Sequence, residues 1–378
     1  MSRLVLSNAR LVLADEVITG SLVAENGVIQ AIDDGVGRGA DDLEGDYLIP
    51  GLVELHTDHL ESHFHPRPGV EWPAVSAVIA HDAQIAAAGI TTVFDALRAG
   101  SFDPGDLSAR NGERLASAIH AAQANGQLRA QHFIHLRCEL PCEDTVAAAA
   151  RTVAEGGIRL LSLMDHTPGF RQFVSIEKFK EYYLGKKLIL PEQIDGYIAE
   201  KIELQKLHAA SNKVEILDLA RSLGICLASH DDATPDHVDE AVADGVVIAE
   251  FPTTAASAEA AHRNGLAVLM GAPNIVRGSS HSGNISASEV AASGHLDILS
   301  SDYVPASLLL AAFALPEKVG GITLPRAIGF VSSGPARAAY LNDRGEIALG
   351  KRADLVQVSV STGQPVVRRV WREGVRVL

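Results

Sequence analysis

At 378 residues, with 47% hydrophobic and 5% aromatic positions, the chain has material for one barrel-sized domain or two smaller ones. A formal net charge of −15, from 32 Lys+Arg against 47 Asp+Glu, argues against non-specific nucleic-acid or anionic-membrane binding, and leaves a small anionic substrate to a local arginine cluster or a metal. Three cysteines suit a reducing compartment better than a disulfide framework, and with neither a signal peptide nor a run of roughly 18 apolar residues the cytoplasm is the expected location.

The chain opens with "RLVLSNARLVLADEVITGSLVAENGVIQAIDD", whose apolar–polar alternation and "ENG" turn predict paired strands. From Gly51 onward, eight short apolar runs recur. They are "IPGLVELH" (49–56), "GITTVFDA" (89–96), "AQHFIHLRCE" (130–139), "IRLLSLMDH" (158–166), "GICLASH" (224–230), "GVVIAEFPTT" (245–254), "GLAVLMGAPN" (265–274) and "LDILSSDYVP" (296–305). Ala-rich stretches with helical spacing separate several of them, as in "WPAVSAVIAHDAQIAAAG". Apolar strands alternating with helices imply a parallel sheet covered on both faces, and eight right-handed units close into a (β/α)8 TIM barrel. A doubly wound open sheet is the competing architecture. Between the fourth and fifth runs, from about 167 to 223, two or three extra helices are expected, as a lid, an interface element or an inert decoration. The C-terminal "GEIALGKRADLVQVSVSTGQPVVRRVWREGVRVL" returns to strand patterning with a "REG" turn. Neither end is long enough to bury a core alone, so residues 1–50 and 340–378 are expected to form one composite β-sandwich beside a barrel spanning 51–339.

The chemistry collects where the apolar runs stop. "LVELHTDHLESHFHPRPG" (52–69) holds four histidines, three carboxylates and an arginine. His56 and Asp58 stand at i and i+2, so strand alternation would turn both to one side. That pair alone is weak evidence for a Zn²⁺, Mn²⁺ or Fe²⁺ site, since His and Asp also end strands as turn formers. Other runs repeat the pattern: Glu139 ends the third, His166 the fourth, His230 the fifth and Asp302 the eighth. Six ligand-type residues on five strand ends point to a shared divalent cation, with Glu250 on the sixth run in reserve. Asp231 and Asp232 are read as partners orienting His230. His59, His63 and His65 have no strand to fix their direction. Solvent-facing or turn roles are the plain reading, with substrate or a second metal the alternative for His63 and His65. Cys138 and Cys142, spaced C-x3-C without a second pair, do not make a zinc knuckle, and Cys226 reads as core.

These residues resemble the amidohydrolase superfamily, in the entry "YLIPGLVELHTD", the return "GEIALGKRADLV" and the acids and histidines between them. The resemblance implies a metal-dependent hydrolase barrel with Asp302 as general base. It departs from the common pattern where Asp58 replaces the second His of H-x-H, where strand six offers Glu250, and where no lysine ends strand four to be carbamylated. One ion or two remain open. More narrowly, "HTDHLESHFHPRPGVEWP", "HLRCELP", "LMDHTPGFRQF" and "GAPNIVRGSSHSGN" are similar to the diphosphatase family of the carbon–phosphorus lyase pathway. Its members hydrolyse α-D-ribose 1-methylphosphonate 5-triphosphate to the 5-phosphate and pyrophosphate. A divalent metal is the expected cofactor, zinc first with manganese or iron as alternatives, and the resemblance implies a small anionic phosphorylated substrate. Phosphate oxygens would then meet Arg67, Arg137, Arg171 and Arg277, with His63 and His65 beside them. His281 would hydrogen-bond a phosphate or protonate the leaving group. No nucleic-acid or membrane partner is expected, and a homo-oligomer is compatible. The rivals are an amidohydrolase acting on a cyclic amide, acetamido sugar or amine, and a non-catalytic scaffold of the same fold.

Overall fold

The structure is a computed structural model and describes residues 3–35, 41–101, 111–172, 175–185, 189–278, 284–360 and 363–378. The predicted His281 lies outside the described residues.

Both ends of the chain contribute to one mixed sheet. Its strands are β1 (Arg3–Val12), β2 (Val17–Glu25), β3 (Val28–Asp34), β4 (Asp41–Asp42) and β5 (Tyr47–Pro50) from the N-terminal side. β14 (Leu355–Ser359), β15 (Val366–Arg372) and β16 (Val375–Arg376) come from the C-terminal side. The order is β16-β15-β14-β5-β1-β2-β3, with β4 beside β1. β5 pairs with β14, Leu48 opposite Gln357 and Pro50 opposite Leu355, which stitches the two ends together. The apolar alternation converges on a core including Leu6, Leu11, Leu22, Ile29, Leu48, Leu355 and Trp371. The "ENG" and "REG" signals are tight hairpins. Asn26 and Gly27 have φ of 51° and 83°, and Glu373 and Gly374 have φ of 52° and 71°. Two consecutive left-handed residues match the twist of flanking strands.

The eight apolar runs supply a parallel sheet: β6 (Leu52–Thr57), β7 (Ile90–Ala99), β8 (Gln131–Glu139), β9 (Ile158–Met164), β10 (Cys226–His230), β11 (Ile248–Glu250), β12 (Ala267–Gly271) and β13 (Ile298–Ser300). They pair in chain order from β6 to β13. A parallel bridge between Thr57 and Asp302 returns the eighth strand to the first. Every residue of β6 is buried, as expected of a strand covered on both faces. This is the (β/α)8 barrel, not the open sheet.

The helices after β10 and β11 begin close to the strand ends because threonines cap them. Thr234 accepts from the His237 amide, and Thr254 with Ser257 forms a capping box. The predicted excursion holds helices at Ile176–Gly185, Ile194–Leu204 and Ala210–Leu223, the last two joined by a π-turn at Gln205–Ala209. Phe179, Ile194 and Ile198 give it a small core of its own.

Two compact units divide the chain: Met1–Asp95 with Ala121–Phe133 and Met270–Leu378, and Ala96–His120 with Ile134–Leu269.

Candidate functional site

In the first unit the chemistry begins at β6 and β13. His56 is buried within β6. Behind it lies Glu54, fully buried in a run that is otherwise apolar. Its carboxyl accepts the His56 amide at 2.6 Å, the Ser300 hydroxyl at 2.7 Å and the Ser301 amide at 2.6 Å. Burial pushes the Glu54 carboxyl up to about 7, against these hydrogen bonds. A titratable crosslink between strands one and eight thus stands behind His56. The lone acid in "LIPGLVELH" was its only sequence signal.

Asp302 follows β13 in the left-handed region, φ 56°. Its amide donates to the His56 carbonyl at 3.1 Å, and its own carbonyl accepts the Asp58 amide at 3.2 Å and the Thr57 hydroxyl at 2.8 Å. Backbone bonds to the first strand therefore set its position. Asp58 lies one residue beyond the end of β6, so strand alternation does not fix its direction as the i, i+2 argument supposed. The rest of the opening run lies on helix α1 (Leu60–Phe64) and the following loop. His63 meets Gln84 at 3.2 Å, half-buried His65 packs its ring on Phe64 at 4.6 Å, and Arg67 is exposed. Arg277 is exposed at the end of its helix.

The same unit holds a network that sequence reasoning passed over. His81 and Asp82 lie on helix α2 (Ala74–Ala87). Asp95 takes His81 Nε2 at 2.8 Å and His132 Nδ1 at 2.7 Å. The other ring nitrogen of His132 faces Asp82 at 3.3 Å, and Asp82 also accepts the amides of Arg129 and Ala130 at 2.9 Å each. All four side chains are buried. Burial opposes ionisation, yet Asp95 and Asp82 together lift His132 to about 9, and His132 and His81 hold Asp95 down at about 2. Burial keeps His81 low, so it stays neutral. His81, Asp95 and His132 lie close enough to hold an ion, but direct hydrogen bonds already occupy both oxygens of Asp95.

In the second unit, strand ends bring His166, His230 and Asp231 together. The Nε2 atoms of His166 and His230 face one oxygen of Asp231, Oδ2, at 3.8 and 3.6 Å. That oxygen is buried and has no hydrogen-bond partner. The far nitrogens are occupied: His166 Nδ1 meets Glu139 at 2.5 Å and His230 Nδ1 meets Glu250 at 3.3 Å. A carboxylate acceptor places the proton on Nδ1 and leaves the Nε2 lone pair toward Asp231, the arrangement of a ligating imidazole. Burial pushes Asp231 up to about 7 and His230 well below the usual histidine value.

Glu139, expected as a ligand, meets the His166 ring and accepts the His166 amide at 2.9 Å. Glu250, the reserve ligand, faces His230 Nδ1. Asp231, read as an orienting partner, places an oxygen beside the Nε2 atoms of both rings. A left-handed φ of 56° turns its side chain there, which no pattern of residue types displays. Asp232 accepts from Ser229 at 2.5 Å and from Arg171. Arg171 also binds Glu240 at 3.0 Å, so its guanidinium is committed to protein carboxylates. Arg137, half-buried on β8, contributes positive potential at His230 and Asp231. Cys138 and Cys142 are buried free thiols, and the half-buried Cys226 is free as well.

An eight-stranded barrel with histidine–carboxylate groups that could hold a metal ion is the class of scaffold this chain presents. Residues 191–377 match the amidohydrolase family. The chain is 48% identical over 377 residues to the alpha-D-ribose 1-methylphosphonate 5-triphosphate diphosphatase of Escherichia coli (strain K12), covering 99% of this chain and 100% of that protein. The chain belongs to the amidohydrolase family, with that diphosphatase a full-length relative. Among solved structures, 5-methylcytosine deaminase from Klebsiella pneumoniae aligns with a TM-score of 0.64 at 16% identity, over 99% of this chain and 98% of that one. N-acetyl-D-glucosamine-6-phosphate deacetylase from Mycobacterium smegmatis aligns with a TM-score of 0.65 at 15% identity, over 99% and 100%. At those identities the likeness is one of fold.

Proposed function

We propose that this chain hydrolyses a ribose 1-alkylphosphonate 5-triphosphate, releasing pyrophosphate and leaving the 5-phosphate. The observation that carries this reading is the 48% identity over the full length of the E. coli diphosphatase. The buried, unpartnered Asp231 oxygen facing two imidazole lone pairs supports a divalent cation, and the nitrogen-rich donor set favours zinc. His166, His230 and Asp231 are the proposed ligands, with Glu139 and Glu250 orienting the rings. The ligand roles of His56 and Asp58 rest on sequence and are proposed on that basis.

When bound, such a cation lowers the pKa of water from 15.7 toward about 7 and offsets phosphate charge. The chain's own groups do the rest. Asp302, held by backbone bonds to the first strand, is the proposed base that takes a proton from the attacking water. Water oxygen joins a phosphorus of the α–β bridge, and the bridging P–O bond breaks. His281 is proposed to donate the proton that the departing oxygen needs. Arg67, Arg137, Arg171 and Arg277, with His65, are proposed to meet the polyphosphate; Arg171 would first have to leave Asp232 and Glu240. The cytoplasm is the proposed compartment, and among the described residues no helix is long and apolar enough to cross a membrane.

The test is incubation of zinc-loaded protein with ribose 1-methylphosphonate 5-triphosphate, ATP and an N-acetylated sugar phosphate, assaying pyrophosphate and acetate. Pyrophosphate release that stops on chelation and returns with zinc is the expected result. Deacetylation without pyrophosphate would overturn the reading.

A further inference from the structure

Within the first unit, His59, His63 and His81 form a triangle of imidazoles, contributed by the opening run and by α2. Their ring centres are 5.1 Å apart for His59–His63 and 5.9 Å for each of the two pairs with His81. With metal–nitrogen bonds of about 2.0–2.1 Å, three imidazoles around a tetrahedral ion hold their centres roughly 5 Å apart. As they stand, the three rings' ligand nitrogens are not all within 4.8 Å of one another, so the rings must turn to reach ligand spacing.

The hydrogen bonds on the outer side of each ring select the same kind of tautomer. His81 Nε2 is tied to the Asp95 carboxylate at 2.8 Å. His59 Nδ1 is tied to the backbone carbonyl of Tyr303 at 3.1 Å. His63 Nε2 is tied to the Gln84 amide oxygen at 3.2 Å. Carboxylate, carbonyl and amide oxygens only accept, so each of these nitrogens carries the proton and the other nitrogen keeps its lone pair. The Ser62 hydroxyl lies 3.5 Å from His59 Nδ1, but it donates to the His59 carbonyl at 2.7 Å. Two of the three lone-pair nitrogens, His81 Nδ1 and His59 Nε2, are buried with no hydrogen-bond partner. Leaving one such buried polar atom unmet costs about 1–3 kcal/mol, and two in neighbouring rings call for a common partner. Each ring thus has an oxygen acceptor behind it, as ligating histidines almost always do.

We infer that His59, His63 and His81 form a second, all-imidazole site for a divalent transition metal, separate from the His166–His230–Asp231 group. Three neutral imidazoles and one open position suit Zn²⁺ and its first-row neighbours and disfavour Mg²⁺ or Ca²⁺, which prefer oxygen. On this reading His63 meets a cation and not the polyphosphate directly. An ion there would also polarise His59 and strengthen its bond to the Tyr303 carbonyl. The inference does not depend on the triphosphate reading.

The test is titration of the purified full-length chain with Co²⁺ and Zn²⁺, in competition with a chromophoric chelator, beside His59→Ala, His63→Ala, Gln84→Ala and His230→Ala. His59, His63 and Gln84 are half-buried or exposed, so their variants are expected to fold, which circular dichroism checks. The wild type should bind one equivalent that His59→Ala and His63→Ala lose and that His230→Ala retains. Gln84→Ala, which removes only the supporting acceptor, should weaken that equivalent by about 10–100-fold. Histidine acylation on the wild type gives a reading free of any variant: Zn²⁺ should protect His59 and His63, and Mg²⁺ should not. Equal titration by the wild type and both His variants, or acylation of His59 and His63 unchanged by Zn²⁺, would overturn the site. Loss of metal from His230→Ala alone would support the first site and reject this one.

Discussion

Asp302 and Glu54 show how one barrel end assigns different work to two carboxyls. Asp302 is half-buried with left-handed backbone, which Asn tolerates nearly as well as Asp. Asp302→Asn should therefore keep the fold and lose about 10²–10⁴-fold in kcat if the carboxylate takes the proton. Near-normal turnover in a steady-state pyrophosphate assay would remove it as base. Glu54 is buried and serves two backbone amides and a hydroxyl. Glu54→Gln keeps an acceptor oxygen, whereas Glu54→Ala strands these donors at about 1–3 kcal/mol each. Chemical denaturation should rank wild type, Gln and Ala in that order. A Glu54→Ala protein as stable as wild type would mean the crosslink does not hold strands one and eight.

Among the elements, the helix starts after β10 and β11 were readable in "DDATP" and "FPTTAAS", since Thr before a helical stretch is a capping signal. Thr254 caps its helix four residues after Glu250, so the cap helps to hold the strand end that supports His230. Thr254→Ala should cost about 1 kcal/mol and lower the melting temperature by a few degrees. A change within experimental error would show that tertiary contacts alone position that loop. The strands were equally legible: each apolar run contains one, because strands covered on both faces need little else. The exact strand ends were not: β6 stops at Thr57, one residue short of Asp58. Residue types mark where a strand belongs, but neighbouring-chain hydrogen bonds decide where it stops.

On the scale of the whole molecule, the buried Asp82–His132–Asp95–His81 network makes stability depend on pH. His132 titrates at about 9 in the fold against an ordinary 6.5, so its stabilising charge is complete below about 6.5 and is lost as pH rises through 9. Glu54, raised to about 7 from 4.5, adds a decline of similar size between those values, because the unfolded chain releases that proton more readily. Melting temperatures should fall as pH rises from about 6.5 to 9, most steeply midway, and level off above 9, and His132→Asn should flatten that decline. A profile level between pH 6.5 and 9 would show that His132 is neutral in the fold. His132→Ala at pH 7 should cost about 3–5 kcal/mol, since it takes the buried cation from Asp95 and leaves Asp82 only its ion pair with Arg129.

Sequence alone determined the alternation of strands and helices, the association of the two strand-patterned ends, expected as a β-sandwich and found as one mixed sheet, and the family, all of which rest on residue periodicity and ordered motifs along the chain. It also showed that acids and histidines accumulate at strand ends. Only the tertiary structure decided which carboxylate faces a lone pair and which stands behind a ring. That choice depends on left-handed backbone at Asp231 and on hydrogen bonds between distant segments, such as His166 to Glu139. Neither leaves a mark in one-dimensional spacing, because a carboxylate's role is set by which nitrogen it reaches and not by where it falls in the chain.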